Sequence, residues 1–387
     1  MVSSTFRHPF EERPLRPALV LWGGYVGGAE SFTVDLAQAM QLHGAEPAVV
    51  FVLQGAPLAD RLDGFRIPHS ALGLRRGRAV LHAPRRLARS VSTSEPDVAI
   101  LVETGYLAAA LRVGGYRAPI IGIEHGSILQ SHSLGRVKRL IRAADRMSGT
   151  KACSVVVAVS DYMRERLIGR RLHTRVVCIP NGVDLTRFSP LEGRATRGEG
   201  GEIIIGCAAR LIEGKGIEDL ITALSHTSLD GARLRIAGEG PRAWALKVLA
   251  RSLGVASRVE FLGRVLDMPS FWRGCDVAAM PSNNFVESFG MAAVEAMACA
   301  RPVVATANGA LPELVQDGVT GLVVPRGDIA AMRRAIAEYA HDPARRGRHG
   351  SCGRRRCEEH FSIERAASRY LELCAELVRE GRQMRWS

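Results

Sequence analysis

Two carboxylates in the C-terminal half, Glu287 and Glu295, stand eight residues apart around Ser288-Phe289-Gly290. The run before them, Cys275-Asp-Val-Ala-Ala-Met-Pro-Ser282, reads as a buried strand entering a loop. The run after them, Met291-Ala-Ala-Val-Glu-Ala-Met-Ala298, is strongly helix-forming. A loop feeding a helix N-terminus presents backbone N–H groups with no intrahelical partner, which favours an anion. Ser288 is the expected N-cap, and Gly290 lets a bulky anion approach the backbone. Glu295 then sits about a turn inside the helix and Glu287 just before it. Both carboxylates flank the anion rather than contact it, an arrangement suited to hydroxyl-rich groups on either side of a phosphate.

The cations that such an anion needs come from a second element. The run Ile203-Ile-Ile-Gly-Cys-Ala-Ala-Arg210 reads as a strand, and Lys215-Gly216 precedes a helix with apolar spacing at Ile217, Leu220, Ile221 and Leu224. Two cations at the mouth of a sheet suit a diphosphate, with Arg210 able to bind it bidentately and Lys215 acting as a point charge.

These segments closely resemble the glycosyl transferases group 1 family, retaining GT-B enzymes with an E-x7-E signature. The resemblance runs from about Ala18 to the last helix. It implies that the donor diphosphate lies on the amides of Phe289 and Gly290, that Glu295 holds the ribose hydroxyls and that Glu287 contacts the donor sugar. Arg210 and Lys215 match the family's G-R-x-x-x-x-K-G element. Gly238, in Leu234-Arg-Ile-Ala-Gly-Glu-Gly-Pro241, and Arg264-Val265, after Val259-Glu-Phe-Leu-Gly263, match strand ends on the nucleotide side. The segments beginning Asn308-Gly and Asp317-Gly also match.

The N-terminal half supplies further matches. Ala18-Leu-Val-Leu-Trp22 reads as a first strand, followed by a Gly-rich turn through Gly27-Gly28 and a helix from Ser31 to Leu42. Gly27-Gly28-Ala-Glu30 resembles the family's GG-x-E loop, which approaches the donor phosphate. Glu30 itself reads as a first-turn carboxylate complementing the helix dipole. Ile120-Ile-Gly-Ile-Glu-His125-Gly is a strand ending in His125, at the carboxyl edge where α/β sheets bind ligands. It resembles the family's strand-end His beside the reacting sugar. Val155-Val-Val-Ala-Val-Ser160 and Pro180-Asn-Gly-Val-Asp184 resemble the elements closing the family's N-terminal domain. The Asn-Gly turn makes Asn181 architectural.

The chain has 387 residues, enough for two domains, and 47% of them are hydrophobic. No run approaches ~20 uninterrupted apolar residues, and the polar N-terminus carries no signal-peptide core. The eight cysteines are scattered without metal-ligand spacing and read as reduced thiols of a cytoplasmic protein. Strands and helices alternate throughout, so the expected fold class is α/β with parallel sheets. The expected division is a loose tail at 1–17, a Rossmann-like acceptor domain at 18–190 and a Gly-rich linker at 191–201. A Rossmann-like donor domain at 202–361 and a last helix at 362–387 follow. In the GT-B architecture the two domains face each other across a cleft and that helix crosses back to the first.

Net charge is +13, from 52 Lys and Arg against 39 Asp and Glu. Two basic stretches stand out: Arg75 to Arg89, with six Arg and no acid, and Arg136 to Arg146. Such helices meet an anionic membrane or an acidic partner, or are solvated faces. Nucleic acid is not expected, since aromatic residues make up 5% and no recognition motif appears. Neither stretch carries the Trp or Phe that anchors an interfacial helix, which favours a soluble acceptor over a lipid-linked one.

The expected activity is transfer of a hexose from a nucleoside-diphosphate sugar to an acceptor hydroxyl with retention. Arg210, Lys215, His125 and Glu287 would do the chemistry. Gly27, Gly28, Gly238, Arg264, Val265, Phe289, Gly290 and Glu295 would hold the donor. No D-x-D pair is present to hold a metal, and no cofactor is expected beyond the nucleotide-sugar co-substrate. A NAD-dependent oxidoreductase would want an acid closing the second strand, which here ends in Gln54. A non-catalytic nucleotide-sugar-binding or membrane-docking protein is the other alternative, disfavoured by the intact Arg210, Lys215, Glu287 and Glu295.

Overall fold

The computed structural model describes residues 13–23, 27–54, 58–74, 83–103, 105–126, 149–169, 174–191 and 203–386. It divides into two compact units: Met1–Gly182 with Ile363–Ser387, and Val183–Ser362.

The first unit is built on a seven-stranded sheet ordered β3-β2-β1-β4-β5-β6-β7. Its strands are β1 (Pro17–Leu21), β2 (Ala48–Phe51), β3 (His69–Ala71), β4 (Val98–Val102), β5 (Ile120–Glu124), β6 (Val155–Ala158) and β7 (Arg175–Cys178). Every pair is parallel. β1, β4 and β5 are buried along their whole length, as central parallel strands covered on both faces must be. Among the described residues up to Gly182, its helices are α1 (Gly28–Leu42), α2 (Ala59–Gly64), α3 (Pro84–Ser92), α4 (Gly105–Val113) and α5 (Asp161–Ile168).

The second unit holds a six-stranded parallel sheet ordered β10-β9-β8-β11-β12-β13. Its strands are β8 (Ile203–Ala208), β9 (Ala232–Ala237), β10 (Val259–Gly263), β11 (Val277–Met280), β12 (Val303–Thr306) and β13 (Gly321–Val324). Its helices are α6 (Ile217–Leu224), α7 (Ala243–Ser252), α8 (Met268–Arg273), α9 (Met291–Ala298), α10 (Leu311–Leu314), α11 (Ile329–His341) and α12 (Pro343–His360). The apolar stripe of α6, namely Ile217, Leu220, Ile221 and Leu224, is buried against Ile205, Leu234 and Ile236 of the sheet and Met332, Ile336 and Tyr339 of α11. This is the spacing read from the sequence, now paired with a partner face.

The last helix, α13 (Ile363–Trp386), belongs to the first unit, where it packs on α1. The division between units falls at Gly182, inside the Pro180–Asp184 turn, and residues 183–190 belong to the second unit. Side chains of that unit hold them there. Arg354 donates to the carbonyls of Phe188 at 2.6 Å and Leu185 at 3.2 Å, and Arg273 donates to the carbonyl of Ser189 at 2.8 Å. Residues 192–202, most of the expected Gly-rich linker, lie outside the described residues. So do 75–82 of the first basic stretch and all of the second.

Candidate functional site

In each sheet the strand order reverses beside the first strand of its unit: β1 lies between β2 and β4, and β8 between β9 and β11. Such a switch point sends the loops after adjacent strands in opposite directions and opens a crevice at the carboxyl edge. In the second unit the two strands are β8 and β11. The turn carrying Arg210 and Lys215 follows β8, and the loop carrying Glu287 follows β11. Topology thus joins segments more than seventy residues apart.

Side chains complete the junction. Lys215 Nζ lies 2.7 Å from Glu287 Oε1, both largely withdrawn from solvent, with side-chain exposures of 11% and 16%. Ser282 donates its hydroxyl to the same Glu287 oxygen at 2.5 Å. The Lys215 ammonium stands 3.8 Å from the Phe285 ring centroid, and the Arg210 guanidinium carbon 5.5 Å from it. Arg210 is exposed. Two cations are thus gathered beside one aromatic ring, and one of them, Lys215, also pairs with a carboxylate.

The loop between β11 and α9 is pinned by Asn308, buried at 2% exposure. Its side-chain amide donates to the carbonyls of Ser282 at 2.8 Å, Phe285 at 2.9 Å and Asn283 at 3.2 Å. Ala310 N–H donates to the Glu287 carbonyl at 2.8 Å. The cap of α9 is Gly290, not the expected Ser288. Gly290 adopts φ 118°, and no side chain caps the helix. The chain reverses at a position where only glycine is comfortable, so the helix begins one residue later, at Met291. Phe289 anchors the reversal from below, 3% exposed and edge-on to Phe361 at 5.9 Å. Glu295 lies inside α9 as read from sequence, and its Oε2 accepts from the indole N–H of Trp272 at 3.1 Å. Trp272, on α8, is fully buried.

Gly238 follows β9 directly, and its N–H donates to the carbonyl of Gly263 at the end of β10, 2.7 Å away. Exposed Arg264 and half-buried Val265 follow directly. These residues occupy the carboxyl edge on the β9–β10 side.

The remaining expected residues lie in the first unit. Gly27 is the N-cap of α1 and Gly28 its first residue, with Glu30 in the first turn. Gly24, Tyr25 and Val26 lie outside the described residues. His125 follows β5 directly, and its ring meets Phe32 of α1 edge-on at 6.1 Å. Burial pushes the half-buried imidazole down to about 4, which favours the neutral ring at pH 7.

Sequence reading did not single out Phe285, Trp272, Ser282 or Asn308 as site-building residues. For Asn308 the signal was there, in an Asn-Gly pair after a strand. For Trp272 there was none, because its partner lies 23 residues away. All eight cysteines are free, and burial holds the thiol of Cys207, beneath the site on β8, up to about 12. It is a protonated core residue rather than a nucleophile.

Comparison with known proteins identifies the family and the fold. The family model described as Glycosyl transferases group 1 matches residues 192–356, and that described as Glycosyltransferase Family 4 matches residues 26–187. The GDP-mannose-dependent alpha-(1-6)-phosphatidylinositol monomannoside mannosyltransferase of Mycolicibacterium smegmatis is 33% identical over 290 residues, 71% of this chain and 74% of that protein. The lipopolysaccharide core biosynthesis mannosyltransferase LpcC of Rhizobium leguminosarum is 34% identical over 62% of this chain and 67% of that one. The D-inositol 3-phosphate glycosyltransferase of Actinosynnema mirum is 28% identical over 84% and 86%. Among solved structures, HepE of Anabaena in complex with UDP-glucose has a TM-score of 0.78 at 22% identity, covering 93% of this chain and 99% of that one, which shows the shared fold. With its two Rossmann-like parallel sheets, the chain belongs to the glycosyl transferases group 1 family, GT-B glycosyltransferases that use nucleotide-sugar donors.

Proposed function

We propose that this glycosyltransferase moves a hexose, mannose from GDP-mannose first among the candidates, to a hydroxyl of a polyol-phosphate acceptor, with retention and without a metal. The observation that carries the reading is the convergence of Arg210, Lys215 and Glu287 at one switch point. In the transfer, the bond from the anomeric carbon to the diphosphate oxygen breaks. A bond to the acceptor oxygen forms on the same face, as the acceptor's O–H bond breaks and that proton passes to the departing diphosphate oxygen. The diphosphate keeps the electron pair, and Arg210 and Lys215 stabilise that charge together with the amides at the start of α9. Glu287 and neutral His125 position the sugar, and Glu295 holds the ribose. By family resemblance, Gly27 and Gly28 of the first unit and Gly238, Arg264 and Val265 of the second are assigned to donor binding.

Mannose is supported by the names of the M. smegmatis and R. leguminosarum relatives, and guanosine by that of the M. smegmatis relative. A phosphorylated polyol is common to phosphatidylinositol monomannoside and inositol 3-phosphate, named for two of the relatives. We take the acceptor as soluble. On α3 the apolar residues Leu87, Ala88 and Val91 are buried in the fold, leaving Arg85 and Arg89 exposed without an apolar face to enter a bilayer. The name of the M. smegmatis relative favours a second reading, a lipid-anchored acceptor met at an anionic membrane.

The test is a donor panel of GDP-mannose, UDP-glucose and ADP-glucose. It is run with inositol 3-phosphate and with phosphatidylinositol vesicles, in EDTA after dialysis. The expected result is GDP release with inositol 3-phosphate and an α-anomeric product by NMR. Strict dependence on Mg²⁺ or Mn²⁺, or a β-product, overturns the reading of the site. Transfer to vesicles alone moves the acceptor to the membrane.

A further inference from the structure

Both cations of the phosphate site converge on one aromatic ring. Lys215 Nζ stands 3.8 Å from the Phe285 ring centroid and the Arg210 guanidinium carbon 5.5 Å from it, each within the range where a cation is attracted by the ring quadrupole. The backbone that carries the ring is held on both sides. Phe285 N–H donates to the Gly214 carbonyl at 3.0 Å, and the Phe285 carbonyl accepts from Asn308 at 2.9 Å. Asn283 N–H donates to the same Gly214 carbonyl at 2.9 Å, so the loop after β11 is stitched to the turn that carries both cations.

We infer that Phe285 is a positioning residue of the transfer reaction: its ring holds Arg210 and Lys215 in one arrangement aimed at the leaving diphosphate. This rests on the phosphate-site reading proposed above. The physical need is clear. A long Lys or Arg side chain costs rotamer entropy to fix, and two like charges repel. Glu287 neutralises one of them, through a bond to Lys215. The ring's π-face offers both an apolar wall and a negative surface, without competing for hydrogen bonds that the diphosphate must receive. Cations fixed before the charge develops stabilise the transition state more than cations that must first reorganise. Phe285 therefore acts on turnover more than on donor binding.

The test replaces Phe285 with a fluorinated phenylalanine series of nearly constant shape, 4-fluoro, 3,5-difluoro and pentafluoro, which weakens the quadrupole stepwise. GDP release from GDP-mannose, with UDP-glucose in parallel, gives kcat and KM, and GDP binding is measured by calorimetry. The expected result is a steady fall in kcat reaching about tenfold at pentafluorophenylalanine, with GDP affinity and melting temperature little changed. The fall should shrink in a Lys215→Ala background, where only Arg210 still faces the ring, since coupled residues are not additive. A flat series overturns the inference, and so does an equal fall with and without Lys215. Arg210→Ala and Lys215→Ala, run alongside, separate the two claims. If they keep wild-type turnover, the phosphate-site reading itself fails. If they lose turnover while the fluorinated series stays flat, only the role of Phe285 fails.

Discussion

Lys215 and Glu287, 72 residues apart in sequence, meet at 2.7 Å across the junction of β8 and β11. The pair joins the cation expected to take the diphosphate to the carboxylate expected to meet the sugar. Removing Lys215 therefore acts twice. Lys215→Ala should cut kcat by roughly 10² to 10³, the cost of losing a preorganised group at a developing charge. It should also destabilise the fold by about 1–3 kcal/mol by leaving the Glu287 carboxylate to the Ser282 hydroxyl after its cation is gone. Steady-state kinetics and urea unfolding check both numbers, and a rate loss no larger than the stability loss explains would remove Lys215 from the chemistry.

Trp272 orients Glu295 from beneath, through the 3.1 Å bond from its indole N–H. Trp272→Phe deletes that donor while keeping most of the buried volume. Donor KM should rise roughly 5- to 30-fold, equivalent to about 1–2 kcal/mol, with kcat changed less. Glu295→Ala should show the same pattern more strongly. A kcat defect with unchanged KM would place Glu295 at the reacting centre instead of the ribose.

Gly309 tests how closely the loop is held. It adopts φ 61°, and a Cβ there would lie 1.9 Å from the Glu287 carbonyl oxygen. That oxygen is backbone and also accepts from Ala310, so it cannot move aside cheaply. Gly309→Ala should destabilise the second unit by about 2 kcal/mol or more and depress turnover by displacing Glu287. Wild-type melting and turnover in this variant would mean that the loop is more pliant than its bonding suggests.

His125 supplies a pH signature. Its imidazole titrates near 6.5 in the unfolded chain and about 4 in the fold, because burial disfavours the charged ring. The unfolded state therefore binds the proton first as pH falls. The stability from keeping His125 neutral is complete above pH 6.5 and is lost between pH 6.5 and 4, by at most about 3 kcal/mol. His125→Asn should flatten that part of the curve, measured as the difference in unfolding free energy between the two proteins at each pH. Turnover should show no titration near 6.5 from this residue. An activity step at that pH, absent in His125→Asn, would show that the ring is charged in the working enzyme.

The alternation of strands and helices, the strand–loop–helix unit around Gly290 and the placement of Arg210 and Lys215 in the turn after a strand were all legible in local order. Each depends on residues within a single strand–turn–helix unit: apolar spacing at Ile217, Leu220, Ile221 and Leu224, or a helix-forming run after Gly290. His125 at the end of β5 was legible for the same reason. The contacts that turn these parts into a site were not. Phe285 beneath two cations, Trp272 beneath Glu295 and Asn308 across three loop carbonyls pair residues from different strand–helix units, and spacing along the chain carries no information about which strands become neighbours. Sheet order decided that, by setting β8 beside β11. Tertiary packing likewise assigned residues 183–190 to the second unit, since Arg354 and Arg273 satisfy their carbonyls from helices far along the chain. It also put Gly290 rather than Ser288 at the head of α9, because the reversal into the helix requires a positive φ that a side chain resists.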